Sequence, residues 1–79
     1  PILVEVTLRA GIADPAGATI ERSLPALGFS GVTNVQAGKS FRMDIEAESA
    51  DEALVTAQSL AERLLSNPVI EDAVARLGA

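Results

Sequence analysis

The stretch Gln36-Ala37-Gly38-Lys39-Ser40-Phe41 carries Gly-Lys-Ser, the close of a phosphate-binding loop. A lysine and a hydroxyl at that spacing would hold nucleotide phosphates and a magnesium ion. The motif needs an earlier glycine five positions ahead of the Gly-Lys pair, and that position is Thr33. Its lysine must also open a helix whose amides face the phosphates. Here Phe41, Met43, Ile45 and Ala47 alternate with Arg42, Asp44, Glu46 and Glu48, which is the pattern of a half-exposed strand. The sequence therefore reads as a glycine-containing hairpin turn at Gly38-Lys39-Ser40, with Lys39 and Ser40 at a loop tip where contacts to partners concentrate.

Carboxylates are the other chemically capable groups. Asp44, Glu46 and Glu48 fall on the polar face of the same strand, and Glu71 and Asp72 form a polar corner with Asn67-Pro68. General acid–base catalysis needs two carboxylates converging on a pocket, one of them desolvated. A solvated or subunit-facing strand accounts for the first set, with ion pairs to Arg9 across the sheet. The corner of Asn67, Glu71 and Asp72 caps a helix or meets a partner. The chain has no His and no Cys. Its serines and threonines thus lack the usual base, and no G-x-S-x-G elbow presents one. Thiolate and imidazole metal sites are excluded with them. We expect no catalytic residue, no cofactor site and no metal site in this chain.

The elements that position these residues follow from periodicity. Ile2, Val4, Val6 and Leu8 alternate with Leu3, Glu5, Thr7 and Arg9, a strand covered on one side. Asp14 is a good helix N-cap and Pro15 a good first helical residue. That helix is expected to run to about Leu27, with Ile20, Leu24 and Leu27 as a stripe facing the sheet. Pro25 should tighten its last turn and Gly28 should end it at positive φ. Val32, Val35 and Ala37 mark the first arm of the hairpin. Ser49-Ala50-Asp51-Glu52 is a capping box that opens a second helix, with Ala53, Ala57, Leu60, Ala61 and Leu64 on one face. Asn67-Pro68 stops it. The last segment, Val69 to Ala79, fits a helix through Ile70, Ala73, Val74 and Leu77, and fits a strand on architectural grounds; the strand is the expectation. The order is β-α-β-β-α-β, an α+β ferredoxin-like fold with two helices on one face of an antiparallel sheet, and residues 1–79 form one domain.

Composition narrows the function classes. A chain of 79 residues hides only about 60% of its unfolded surface, which leaves a monomer marginal. Without disulfides or metals, partner subunits are the remaining device. The net charge of −5 opposes phosphate backbones and anionic membranes. Two phenylalanines, with no Trp or Tyr, give little for bases to stack on. No apolar run approaches the ~20 residues of a membrane span, and the beginning of the sequence has no signal-peptide pattern. These features point to the cytoplasm, with neither nucleic acid nor membrane as partner.

Taken in order, Asp14-Pro15 with Gly17, Leu27-Gly28-Phe29, Val32, Val35, Gly38-Lys39, and Leu64-Leu65 followed by Asn67-Pro68-Val69-Ile70-Glu71-Asp72 resemble the PurS family, the small subunit of phosphoribosylformylglycinamidine synthase. The resemblance covers essentially the whole chain. The last strand departs from it, because family members often end in a longer, charged strand than Ala73-Val74-Ala75-Arg76-Leu77-Gly78-Ala79. The resemblance implies a non-catalytic subunit of a glutamine-dependent C–N ligase of purine biosynthesis. Its partners would be a glutaminase subunit and a synthetase subunit, the latter using ATP and Mg. It implies a homodimer, sometimes a pair of dimers, and a role in bridging the two enzymes and assisting ammonia transfer. Lys39, Ser40, Asn67, Glu71 and Asp72 are then the candidate contacts to partners. A regulatory domain of the same topology that binds a small molecule, such as an amino acid at the Gly11 turn, is the rival reading.

Overall fold

The computed structural model describes residues 1–78. Its strands are β1 (Ile2–Leu8), β2 (Gly38–Met43) and β3 (Glu71–Leu77), and its helices are α1 (Pro15–Ser23) and α2 (Ala50–Leu60). The sheet order is β2-β1-β3, with β1 antiparallel to both neighbours. The expected α+β class and antiparallel sheet hold. Among the described residues the sheet has three strands, and the last segment is the strand rather than the helix.

β1 is central because its alternation buries Ile2, Val4 and Val6 completely on one face. α2 lies on that face through Ala53, Ala57 and Ala61, whose small side chains let the helix approach closely. The capping box forms as expected at one end: the Ser49 hydroxyl accepts the Glu52 N–H at 3.1 Å. The Glu52 carboxylate accepts from Glu48 N–H, at 3.1 Å, rather than from Ser49. The helix ends in a π turn, Ala61–Leu65. The wider turn rotates Leu64 outward, where it is exposed, and brings Leu65 against the core. The sequence stripe through Leu64 is corrected accordingly.

Gly38-Lys39-Ser40 is not a turn. It is the first half of β2, opposite Thr7, Val6 and Glu5. Gly38 is there for close approach: a Cβ on it would lie 2.6 Å from the Val6 carbonyl oxygen. The expected first hairpin arm is not a strand either, because Gly31 and Asn34 take positive φ and side chains hold its amides. Val35 N–H donates to the Glu21 carboxylate, and Ala37 N–H to the Asp14 carboxylate, both at 2.9 Å. β2 also stops earlier than its alternation suggests. Met43 pairs with Ile2, the first residue of β1, so Ile45 packs on the core without entering the ladder.

α1 departs most from expectation. Asp14 caps it, accepting from Gly17 N–H at 2.9 Å, and Pro15 opens it. Pro25, which has no N–H, turns its end into a 3₁₀ turn, Pro25–Leu27, closed by Gly28 at φ 86°. Both local expectations stand. The stripe, however, does not face the sheet: α1 packs against no strand, and Ile20 and Leu27 are exposed. Only Gly17 is buried, against the Val35 carbonyl. α1 and the returning segment 28–37 form an arm that projects from the sheet. The Cα radius of gyration is 15.7 Å, against about 12 Å for a compact chain of this length.

Candidate functional site

Antiparallel pairing sorts the five candidate residues by face. Residues opposite one another share a face, so Lys39 stands with Val6 and Ala73 on the side covered by α2. Glu71, opposite Leu8, is on that side too. Ser40 stands with Glu5 and Val74 on the uncovered side, as does Asp72 with Thr7 and Gly38. β2 and β3 thus each send their two candidates to opposite faces.

Lys39, Glu71 and Asn67 come together at one end of the sheet. The Glu71 carboxylate accepts the Asn67 N–H at 2.7 Å and meets the Lys39 ammonium at 3.7 Å. Asn67 itself builds the corner. Its carbonyl accepts from Ile70 N–H and Glu71 N–H, and its side-chain oxygen from Val69 N–H at 3.1 Å. The Glu71 side chain is 15% exposed, so the ion pair closes the end of the core beyond Val6 and Leu8. The corner is built into the fold, and the Lys39 ammonium and the Asn67 side-chain amide keep spare donors for a partner.

Asp72 takes a different neighbour. It pairs with Arg9 at 3.6 Å, and Arg76 pairs with Glu5. Arg9 therefore bonds to β3, not to the β2 carboxylates expected from the sequence. Asp44, Glu46 and Glu48 lie beyond β2, exposed, and none joins a pocket with a second buried carboxylate. Among the described residues no group of His, Cys, Asp and Glu could hold a metal ion. The groove beside Gly11 is lined by Arg9 and Asp14, the pair an amino acid would need. Both are already engaged, Arg9 by Asp72 and Asp14 by two backbone amides.

Asp14 was missed as a candidate because a helix cap accounts for it. It does more than cap. The Gly17 N–H, and then the Ala37 N–H, hold its carboxyl below the ordinary value against a smaller opposing effect of burial. One carboxylate thus ties the start of the arm to the residue that precedes β2.

A family model described as PurS, phosphoribosylformylglycinamidine (FGAM) synthase, matches residues 2–78. The chain belongs to the PurS family. It is 44% identical over 68 residues to the FGAM synthase subunit PurS of Archaeoglobus fulgidus, covering 86% of this chain and 85% of that one. It superposes on the crystal structure of the purS subunit of Thermotoga maritima with a TM-score of 0.86 and 35% identity, over 95% of this chain and 86% of that chain. It also matches a chain in the structure described as PurLQS from Thermotoga maritima, with a TM-score of 0.81, 34% identity and 96% of each chain covered. The fold presents both charged and exposed apolar surfaces. No helix among the described residues is long and apolar enough to cross a membrane.

Proposed function

We propose that this chain is the non-catalytic small subunit of a phosphoribosylformylglycinamidine synthase complex. In that role it bridges a glutaminase and an ATP-dependent synthetase and assists the passage of ammonia between them. The likeness to a chain of the PurLQS structure over nearly its full length carries the reading. The absence of His and Cys from the sequence supports it, since nucleophile and base must then come from the other subunits. ATP and Mg belong to the synthetase on this reading, and the complex works in the cytoplasm. The chain itself acts as a homodimer, or as a pair of dimers. Lys39, from the closed end of the core, and Ser40 and Asp72, from the uncovered sheet face, are its contacts to partners.

The physical need is plain. Ammonia released into water is protonated and diluted, so a bridge must hold two active sites in register. Omitting this chain from the reconstituted complex is expected to abolish glutamine-dependent synthesis and to leave ammonia-dependent synthesis largely intact. An equal loss of both activities would show that the chain does not bridge. Calorimetry with a panel of amino acids should give no binding heat; a saturable heat would favour the regulatory reading.

A further inference from the structure

The turn between α2 and β3 holds its apolar side chains outside the core. Val69 and Leu64 are 80% and 73% exposed, more than any other large apolar side chain among the described residues. Pro68, between them, is exposed as well. Single exposed apolar residues are ordinary on a protein surface, whereas these three lie together within one short corner.

The backbone holds this patch out. The π turn Ala61–Leu65 turns Leu65 into the core and Leu64 away from it, and wide turns of this kind often mark functional positions. The Ser66 hydroxyl donates to the Ala61 carbonyl at 2.9 Å and closes the turn. The Asn67 carbonyl accepts from the Ile70 and Glu71 N–H groups at 3.1 and 2.8 Å, and the Glu71 carboxylate takes the Asn67 N–H. Leu64 and Val69 cannot fold back on the core without breaking these bonds. Neither α1 nor β2 packs on the π turn, which touches α2, β1 and β3. A surface ordered before its partner arrives loses less entropy on binding.

The polar rim of the patch selects the partner. Val69 N–H takes the side-chain oxygen of Asn67, so the Asn67 amide hydrogens lie beside Val69 and meet no acceptor among the described residues. The Lys39 ammonium makes one contact, to Glu71, and its side chain is 55% exposed. What the rim has left to give is donors, one of them charged. A complementary surface must bring acceptors, and carboxylates serve best beside an ammonium. A second copy of the corner does not qualify, because it would set ammonium against ammonium.

We propose that this corner is a plug. Leu64, Pro68 and Val69 enter an apolar hollow on one of the two enzymes of the complex, and carboxylates on the rim of that hollow take the Lys39 ammonium and the Asn67 amide. The proposal rests on the bridging reading and adds to it the chemistry of the socket.

The test titrates the whole chain against the purified glutaminase and synthetase, separately and together, with glutamine and ATP present and at two salt concentrations. Val69→Asp should leave the thermal unfolding and self-association of the chain unchanged and weaken binding to one enzyme by about 30-fold or more. Val55→Asp, on α2 at a side chain 70% exposed, should bind like the parent. Salt should weaken binding of the parent, and Lys39→Met should remove most of that dependence. Parental binding by Val69→Asp overturns the plug, as does an equal loss from Val55→Asp. A parental affinity indifferent to both salt and Lys39→Met overturns the carboxylate rim, and the proposal with it. Altered self-association of Val69→Asp would assign the corner to a second copy and overturn it too. A parent that binds neither enzyme, alone or together, removes the bridging reading itself.

Discussion

β2 and β3 flank the same strand, are nearly equal in length, and end up in opposite circumstances. β3 has α2 above it, Gln58 along its outer edge and two ion pairs to β1 and its continuation, through Arg9–Asp72 and Glu5–Arg76. On β2, Phe41 and Met43 are half-buried against the same core, but the outer edge is open. The sheet is finished at β3 by the chain itself and left open at β2. Small domains that cannot bury enough surface alone usually add subunits. The comparison locates that shortfall on one side of the molecule rather than spreading it over the whole.

The comparison breaks most readily at Gln58. Gln58→Ala would leave the Ala73 carbonyl and the Ala75 amide without partners in a half-buried position. We expect a loss of about 1–3 kcal/mol in unfolding free energy, for the two bonds and the desolvated groups they served. For a chain of this size that lowers Tm by at least ~4 °C. The new open edge should also raise aggregation in the unfolding transition. If Gln58→Ala unfolds at the parental temperature, the β3 edge is not held by this side chain, and the asymmetry between the two edges loses its physical basis.

The arm offers a second test, read in pH. The folded-state pKa of Asp14 lies below its ordinary value because two backbone N–H groups bind the carboxylate. Its stabilising contribution is thus complete above the ordinary carboxylate pKa, and is lost as pH falls through the depressed folded value. The difference in Tm between the parent and Asp14→Ala should therefore be constant around neutrality and should shrink once pH drops below about 4. Amide exchange at Gly17 and Ala37 should quicken in the same range and leave β1 unaffected. A Tm difference that persists unchanged in acid would mean that the charge of Asp14 does not anchor the arm.

What the sequence makes legible divides along the same line. Alternation in Ile2–Leu8, the N-cap at Ser49, the stop at Asn67-Pro68 and the positive φ of Gly28 are local effects, set within a few residues, and they read correctly. Gly38 was misread because a glycine serves a tight turn and a close strand contact equally well, and only the Val6 carbonyl opposite it decides which. The segment 32–37 was misread because the carboxylates of Asp14 and Glu21 stand in for a neighbouring strand, and such pairings lie 23 and 14 residues apart in the chain. The α1 stripe was found, but periodicity states only that a face wants cover. It does not say whether the cover comes from the same chain. The candidate corner had a comparable limit. Asn67 and Glu71 were found by their place beside a proline. Their meeting with Lys39 depends on β2 and β3 flanking β1, which no local pattern encodes.

The smallest expected effect on stability is at Lys39, and it separates the two purposes that its position allows. The ammonium is about half exposed and sits 3.7 Å from the Glu71 carboxylate. An ion pair of that exposure contributes ~0.2–1 kcal/mol, reduced further by salt. Lys39→Ala should therefore change Tm by no more than a few degrees, because Asn67 N–H still holds Glu71 in place. If Lys39 also spends its remaining donors on a partner subunit, the same substitution weakens assembly with the glutaminase and synthetase by more than it destabilises the chain. Co-purification at two salt concentrations, set beside thermal unfolding of the chain alone, measures both quantities. A loss of assembly that merely tracks the small loss of stability would confine Lys39 to closing the end of the core. A much larger loss, recovered by Lys39→Arg, would place its charge at the subunit boundary.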